Sequence, residues 1–116
     1  MYSKDLIKGT LQPIILMLLN EHKRMYGYEI TQKVKELTNG KIEITEGALY
    51  PALHKLEADK IVVTETEYIG KRLRKYYSLT TSGDAVASEK VSELADFLSV
   101  MQTILNSKAT VNGTHF

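Results

Sequence analysis

The sequence predicts a mostly α fold with a small β-hairpin, followed by a long C-terminal helix. Three observations carry this reading. Leu49, Leu53 and Leu56 recur at helical spacing with Ala52 beside them, so residues 45–59 form a helix with one apolar face. Two runs rich in β-branched and aromatic residues, Ile61 to Tyr68 and Lys75 to Leu79, flank a connection over Ile69 to Arg74 with Gly70 near its tip, the pattern of a hairpin. Ala87, Val91, Leu94, Leu98, Met101 and Leu105 follow at intervals of 4, 3, 4, 3 and 4, an a/d seam along a final helix.

The elements follow in order. Helix 1 is expected from Leu11 to about Glu21, with Thr10 as its N-cap and Pro13 inside the tolerant first turn. His22 to Tyr26 reads as a polar connection. Helix 2 runs from about Tyr28 to Leu37 with Ile30, Val34 and Leu37 on one face, and Thr38-Asn39-Gly40 stops it, Gly40 being suited to a left-handed cap. Ile42-Glu43-Ile44 alternates and is expected to form a minimal strand. Thr45 caps helix 3. After the hairpin, Thr80 or Thr81 caps the last helix, with Gly83 at a tight helix start. Phe97, Val100 and Ile104 widen its apolar stripe, and Ser107 to Phe116 reads as a loose tail.

Composition narrows the function classes. A chain of 116 residues holds one core, and its 43% apolar and 25% charged content is that of a globular domain. Without cysteine there is no disulfide or thiolate chemistry, and His22, His54 and His115 are too scattered for a ligand pair. The longest apolar run, Pro13 to Leu19, falls well short of the ~20 residues of a spanning helix, so no membrane association is expected and the chain reads as cytoplasmic. No nucleophile–base pair, metal cluster or phosphate loop is recognisable, so neither an enzyme nor a cofactor is expected. Net charge is only +1, but Lys71, Arg72, Arg74 and Lys75 crowd one acid-free stretch while residues 81–105 are acidic. Basic charge is thus concentrated where a small surface could meet phosphate.

Three helices closed by a hairpin are the plan of a winged helix-turn-helix, here residues 1–80, with a dimerisation helix over 81–106 and a flexible tail over 107–116. In that plan helix 3 enters the major groove and the hairpin tip lies along the DNA backbone or minor groove. The outer face of helix 3 carries Gly47, Tyr50, Pro51 and His54 in place of a Glu/Lys mix. Thr45 and the free amides behind it suit a phosphate, Tyr50 and His54 can reach backbone or base edges, and Lys55 is a further candidate. Pro51 is costly inside a helix, which a merely structural surface has little reason to keep. Tyr28 fits packing and phosphate contact equally well, Lys23 and Arg24 are candidate backbone contacts, and one of Tyr76 and Tyr77 belongs to the core.

The stretches GYEI (27–30), GALYPALHKLE (47–57) and RKYYSLTTSG (74–83) together resemble the signatures of PadR-type transcriptional regulators, in order and separation, over roughly residues 8–105. The resemblance implies a bacterial, dimeric winged-helix repressor, often answering a small molecule or a phenolic or cell-envelope stress signal. Some drug-sensing members hold flat aromatic compounds between tryptophans at the dimer interface. This chain has no tryptophan, so that chemistry does not transfer and any effector stays unidentified.

The seam of Ala87, Val91, Leu94, Leu98, Met101 and Leu105 is too extensive to bury on so small a domain, and pairing of two copies is expected, with Ile14, Ile15 and Leu18 of helix 1 as a second contact. The expected partners are therefore double-stranded DNA, in a palindromic operator, and a second copy of the chain. A protein–protein adaptor built on the same fold is the competing reading, and the near-neutral charge leans that way.

Overall fold

The computed structural model describes residues 2–111. Its elements are α1 (Lys4–His22), β1 (Arg24–Tyr26), α2 (Gly27–Leu37), α3 (Glu46–Ala58), β2 (Val62–Ile69), β3 (Arg72–Leu79) and α4 (Thr81–Val111). The strands form one antiparallel sheet in the order β1-β3-β2. The mostly helical winged helix-turn-helix with its long last helix is as the sequence predicts.

The first helix starts earlier than expected. Ser3 is the N-cap, its Oγ accepting from the Leu6 amide at 3.3 Å, and Asp5 lies in the first turn where the helix dipole favours a carboxylate. Thr10 does not cap: its hydroxyl turns back to the carbonyls of Leu6 and Ile7 at 3.0 and 3.1 Å, the way a threonine sits inside a helix. Pro13 is then interior and cannot donate to the Gly9 carbonyl. Burial of Leu11, Ile15, Leu16, Leu18 and Leu19 along the same helix outweighs that deficit.

Two further expectations are corrected. The stretch before α2 is not simply a connection, because Arg24, Met25 and Tyr26 pair with Ser78, Tyr77 and Tyr76 of β3 and bury Met25. Ile42 to Ile44 is not a strand. Ile44 is buried against the core, while the Ile42 amide donates to Thr38 Oγ1 at 3.1 Å and the chain has no ladder partner there. On α2, Ile30 and Val34 are buried as expected but Leu37 stays exposed. Gly40 takes the left-handed conformation, φ 78°, and donates to the Lys35 carbonyl at 2.8 Å.

The apolar face of α3, Leu49, Leu53 and Leu56, is fully buried against α1 and the sheet. Strands β2 and β3 pair from Val62↔Leu79 to Ile69↔Arg72, leaving only Gly70 and Lys71 as the turn. Arg72 and Arg74, expected in the connection, therefore stand on the strand.

At the start of α4, Thr80 is the capping residue. Its Oγ1 accepts from the Gly83 amide at 2.9 Å and donates to the Lys60 carbonyl at 2.8 Å, while its amide donates to the Ile61 carbonyl at 3.0 Å. A side chain at position 83 would overlap the Ile61 carbonyl oxygen, which is why the first turn of the helix holds glycine there. The helix continues past the expected end at 106 to Val111; residues 112–116 of the expected tail lie outside the described residues.

Candidate nucleic-acid interface

Thr45 Oγ1 accepts from the Ala48 amide at 3.2 Å and fixes the first turn of α3. Because the leucine face is buried, Gly47, Pro51, His54 and Lys55 are turned to solvent with Thr45 at their head. Lys55 is 3.2 Å from Asp59 one turn on, an exposed pair whose energy is small. Tyr50 behaves differently. It is half-buried, its ring centroid 6.3 Å from that of His54, and its hydroxyl occupies the space a side chain at position 27 would need. Gly27 is thus the seat of Tyr50, which ties the first signature stretch to the second.

Tyr28, one residue on, is 63% exposed, more open than the half-buried position of the packing reading. It lies on the rim of a cleft of about 670 Å³ between the start of α2, Tyr50 and β3. Across that cleft the basic residues divide. Lys71 and Arg72 at the hairpin tip are exposed, and among the described residues neither makes an ion pair. Lys75 is engaged 3.7 Å from Glu57 of α3. Arg74 is half-buried, its guanidinium 4.0 Å over the ring of Tyr26.

Sequence reasoning missed Arg24, Tyr26 and Tyr76 as a unit. Arg24 holds Glu65 at 2.6 Å and Glu67 at 2.9 Å and lies 3.9 Å over Tyr76, whose ring meets Tyr26 edge-on at 5.6 Å. Hydrogen bonding to Glu65 and then Glu67 raises the Arg24 pKa, and hydrogen bonding to Tyr76 raises that of Arg74, so both cations stay charged. The alternation Arg24-x-Tyr26 was the available signal, but it spans only three residues. Tyr77, on the opposite face, is the core tyrosine, and burial pushes its phenol up.

The last helix divides too. Ala87, at 3% exposure, belongs to the chain's own core and not to an open seam; Val91 and Leu94 are half-buried. Beyond them Phe97, Leu98, Val100, Met101, Ile104 and Leu105 are exposed. Of the expected helix 1 contacts, Ile15 and Leu18 are fully buried within the single chain, which leaves Ile14 half-buried. A second cleft, of about 860 Å³, lies between the first half of α1, the start of α3 and Lys90 and Glu93 of α4. Among the described residues no cluster of His, Cys, Asp or Glu could hold a metal ion, and no helix is long and apolar enough to cross a membrane.

Comparison with known proteins adds an independent finding. The family model of the transcriptional regulator PadR-like family matches residues 15–89. An uncharacterized protein of Lysinibacillus sphaericus is 36% identical over 108 residues, which cover 90% of this chain and 96% of that one. A transcriptional regulator of Mycobacterium tuberculosis is 37% identical over 65 residues, 56% of this chain and 58% of that one. Among solved structures, a transcriptional regulator from Clostridium thermocellum has a TM-score of 0.73 at 31% identity, covering 89% of this chain and 97% of the other.

Proposed function

Because the chain belongs to the transcriptional regulator PadR-like family, and so is a regulator and not an enzyme, we propose that it is a sequence-specific DNA-binding repressor acting in the bacterial cytoplasm as a symmetric homodimer on a palindromic operator. The observation that carries this reading is the pairing of two surfaces. The solvent-facing side of α3 carries Gly47, Pro51 and His54 behind Thr45, Tyr50 of the same helix shares a cleft with Arg72, and at the hairpin tip Lys71 and Arg72 make no ion pair among the described residues. A helix of the first kind suits base edges and a tip of the second suits phosphate. The open apolar stripe of α4 supports the homodimer, since a lone protomer would leave Phe97 to Leu105 in water. The reading has room for a small-molecule effector: the cleft of about 860 Å³ touches both α3 and α4 and falls within the ~300–1,000 Å³ of ligand pockets.

Selection of bound duplexes from a random pool tests the reading at once and yields the operator. Replacing Lys71 and Arg72 together by glutamine is expected to weaken binding to every duplex alike. The slope of log K against log salt should flatten by about 0.9 for each phosphate that the tip no longer neutralises. A slope equal to the parent's would remove the tip from the interface.

Reading and holding separate on α3. His54→Ala is expected to change which bases are preferred, at roughly 1–3 kcal/mol for the best site and little for random DNA. Thr45→Ala should lower affinity for all sequences and, by removing the cap, loosen the helix by about 1 kcal/mol. Repeating the selection with each variant distinguishes the two. If neither the variants nor the parent retain any duplex, the outer face of α3 is a protein-binding surface and the adaptor reading holds.

A further inference from the structure

The hairpin projects well beyond the core. Toward its tip Tyr68 is 73% and Leu73 59% exposed, and Ile69 and Arg72 are exposed as well, so no apolar packing orients it. What does hold it lies on the sheet face opposite Tyr77 and Lys75. There Glu65 and Glu67 of β2 grip Arg24 of β1 across the central strand; Arg24 covers Tyr76, Tyr76 meets Tyr26, and Tyr26 carries Arg74. Tyr26 is also the residue before α2, its amide donating to the Glu29 carboxylate at 3.1 Å. The ladder therefore links the edge strand of the hairpin to the start of the helix that bears Tyr28.

Resting on the DNA reading above, we infer that Arg24 and Arg74 are positioning residues: they brace the hairpin against α2 and set the width of the cleft that receives a DNA backbone, without touching phosphate themselves. Arg24 is already compensated by two carboxylates, so little of its charge is left for a polyanion. Arg74 is half-buried with its plane committed to Tyr26, whereas Lys71 and Arg72 beyond it are exposed and outside any ion pair among the described residues. Tyr26, Tyr28 and Tyr50 line the cleft on one side and Arg72, Arg74 and Lys75 on the other; Arg74 thus stands in the cleft wall with its guanidinium over the Tyr26 ring, and a tilt of the hairpin changes the separation of the two sides directly.

Salt titrations of the full chain on the duplex selected for the parent test this, using Arg74→Gln, Arg74→Lys, Tyr26→Ala and Tyr26→Phe. Arg74→Gln and Tyr26→Ala are each expected to weaken binding roughly tenfold while the salt slope stays at the parent's value, because every phosphate touched by the parent is still touched. Their combination should cost no more than either alone, since each breaks the same stack. Tyr26→Phe keeps the ring and should match the parent. Arg74→Lys keeps the charge but gives up the planar stack, and is expected to weaken binding as Arg74→Gln does; if Arg74→Gln does not fold, this variant decides. A slope reduced by about 0.9 for Arg74→Gln, or parent affinity for Arg74→Lys, would make Arg74 a phosphate ligand and overturn the inference. Parent affinity in all variants would reduce the ladder to idle surface. A parent that binds no duplex fails the DNA reading first, in a measurement made before any variant, and the inference falls with it.

Discussion

Aspartate at both Leu94 and Leu98 is expected to convert the homodimer proposed above to monomer in light scattering at micromolar concentration. Leu94 is half-buried and Leu98 54% exposed, in a stripe that continues through Met101 to Leu105. Burying a leucine contributes about 1.5–3 kcal/mol, and an unpaired carboxylate in the same dry place costs several kcal/mol more. Together these weaken the association by at least ~10³-fold, with 1.4 kcal/mol to each factor of ten. The protomer should survive, because Leu98 lies outside the buried core and Leu94 only at its margin. Circular dichroism should keep its helical signal and binding to a palindromic duplex should collapse to half-site affinity. An unchanged dimer mass would move the interface off α4.

Alanine at Gly83, which is buried, is expected to cost the fold more than a methyl added at any exposed position of α4. The added carbon would overlap the Ile61 carbonyl oxygen, which is held from two sides by the Thr80 amide and hydroxyl at 3.0 and 3.2 Å. The obstacle is backbone, so relief requires the first turn of α4 to lift away from the α3–β2 junction. Overpacking of this kind costs about 3 kcal/mol, offset by the ~1 kcal/mol by which alanine favours a helix. The balance, about 2 kcal/mol, corresponds to a melting temperature roughly 8 °C lower at matched protein concentration. A variant that melts with the parent or above it would show that α4 and Ile61 are not in close contact. At Gly27 the obstacle is the end of the Tyr50 side chain, which can turn aside, so the same change there disturbs the interface more than the fold.

How legible each part was depended on how local its cause is. The buried face of α3 follows from a period of 3.6 repeated within one helix, and Leu49, Leu53 and Leu56 are buried as read. Strand β1 has no such local cause. Met25 is strand because Tyr77, far along the chain, offers a ladder, and three residues cannot announce that by pattern. Ile42 and Ile44 mislead in the opposite sense, since alternation marks which side faces the core whether or not a partner strand exists. The start of α1 was hidden by Pro13: its position suggested a first turn, while Ser3 and the buried leucines had already settled the helix ten residues earlier. In the interface, the basic cluster was visible as composition, but its division into free and stacked members depends on Tyr26, brought to Arg74 by the sheet.

The Thr80–Ile61 contact also has a mechanical meaning. Helix α4 spans 31 residues, about 46 Å at 1.5 Å each, and is pinned at one end to the junction where α3 passes into the hairpin. Its first part also packs along α1, with Ala87 buried and Val91 and Leu94 half-buried, so the free arm begins beyond Leu94. That arm, residues 95–111, is about 25 Å long, and a tilt of about 5° at its base sweeps its end through ~2 Å. In the homodimer proposed above, joined along these arms, the relation runs the other way: holding the arms still fixes the angle at the base of each, and with it the distance between the two α3 helices. On that reading, whatever grips or loosens the arms retunes the spacing at which the two helices could be received along one duplex, without touching a residue proposed to face it.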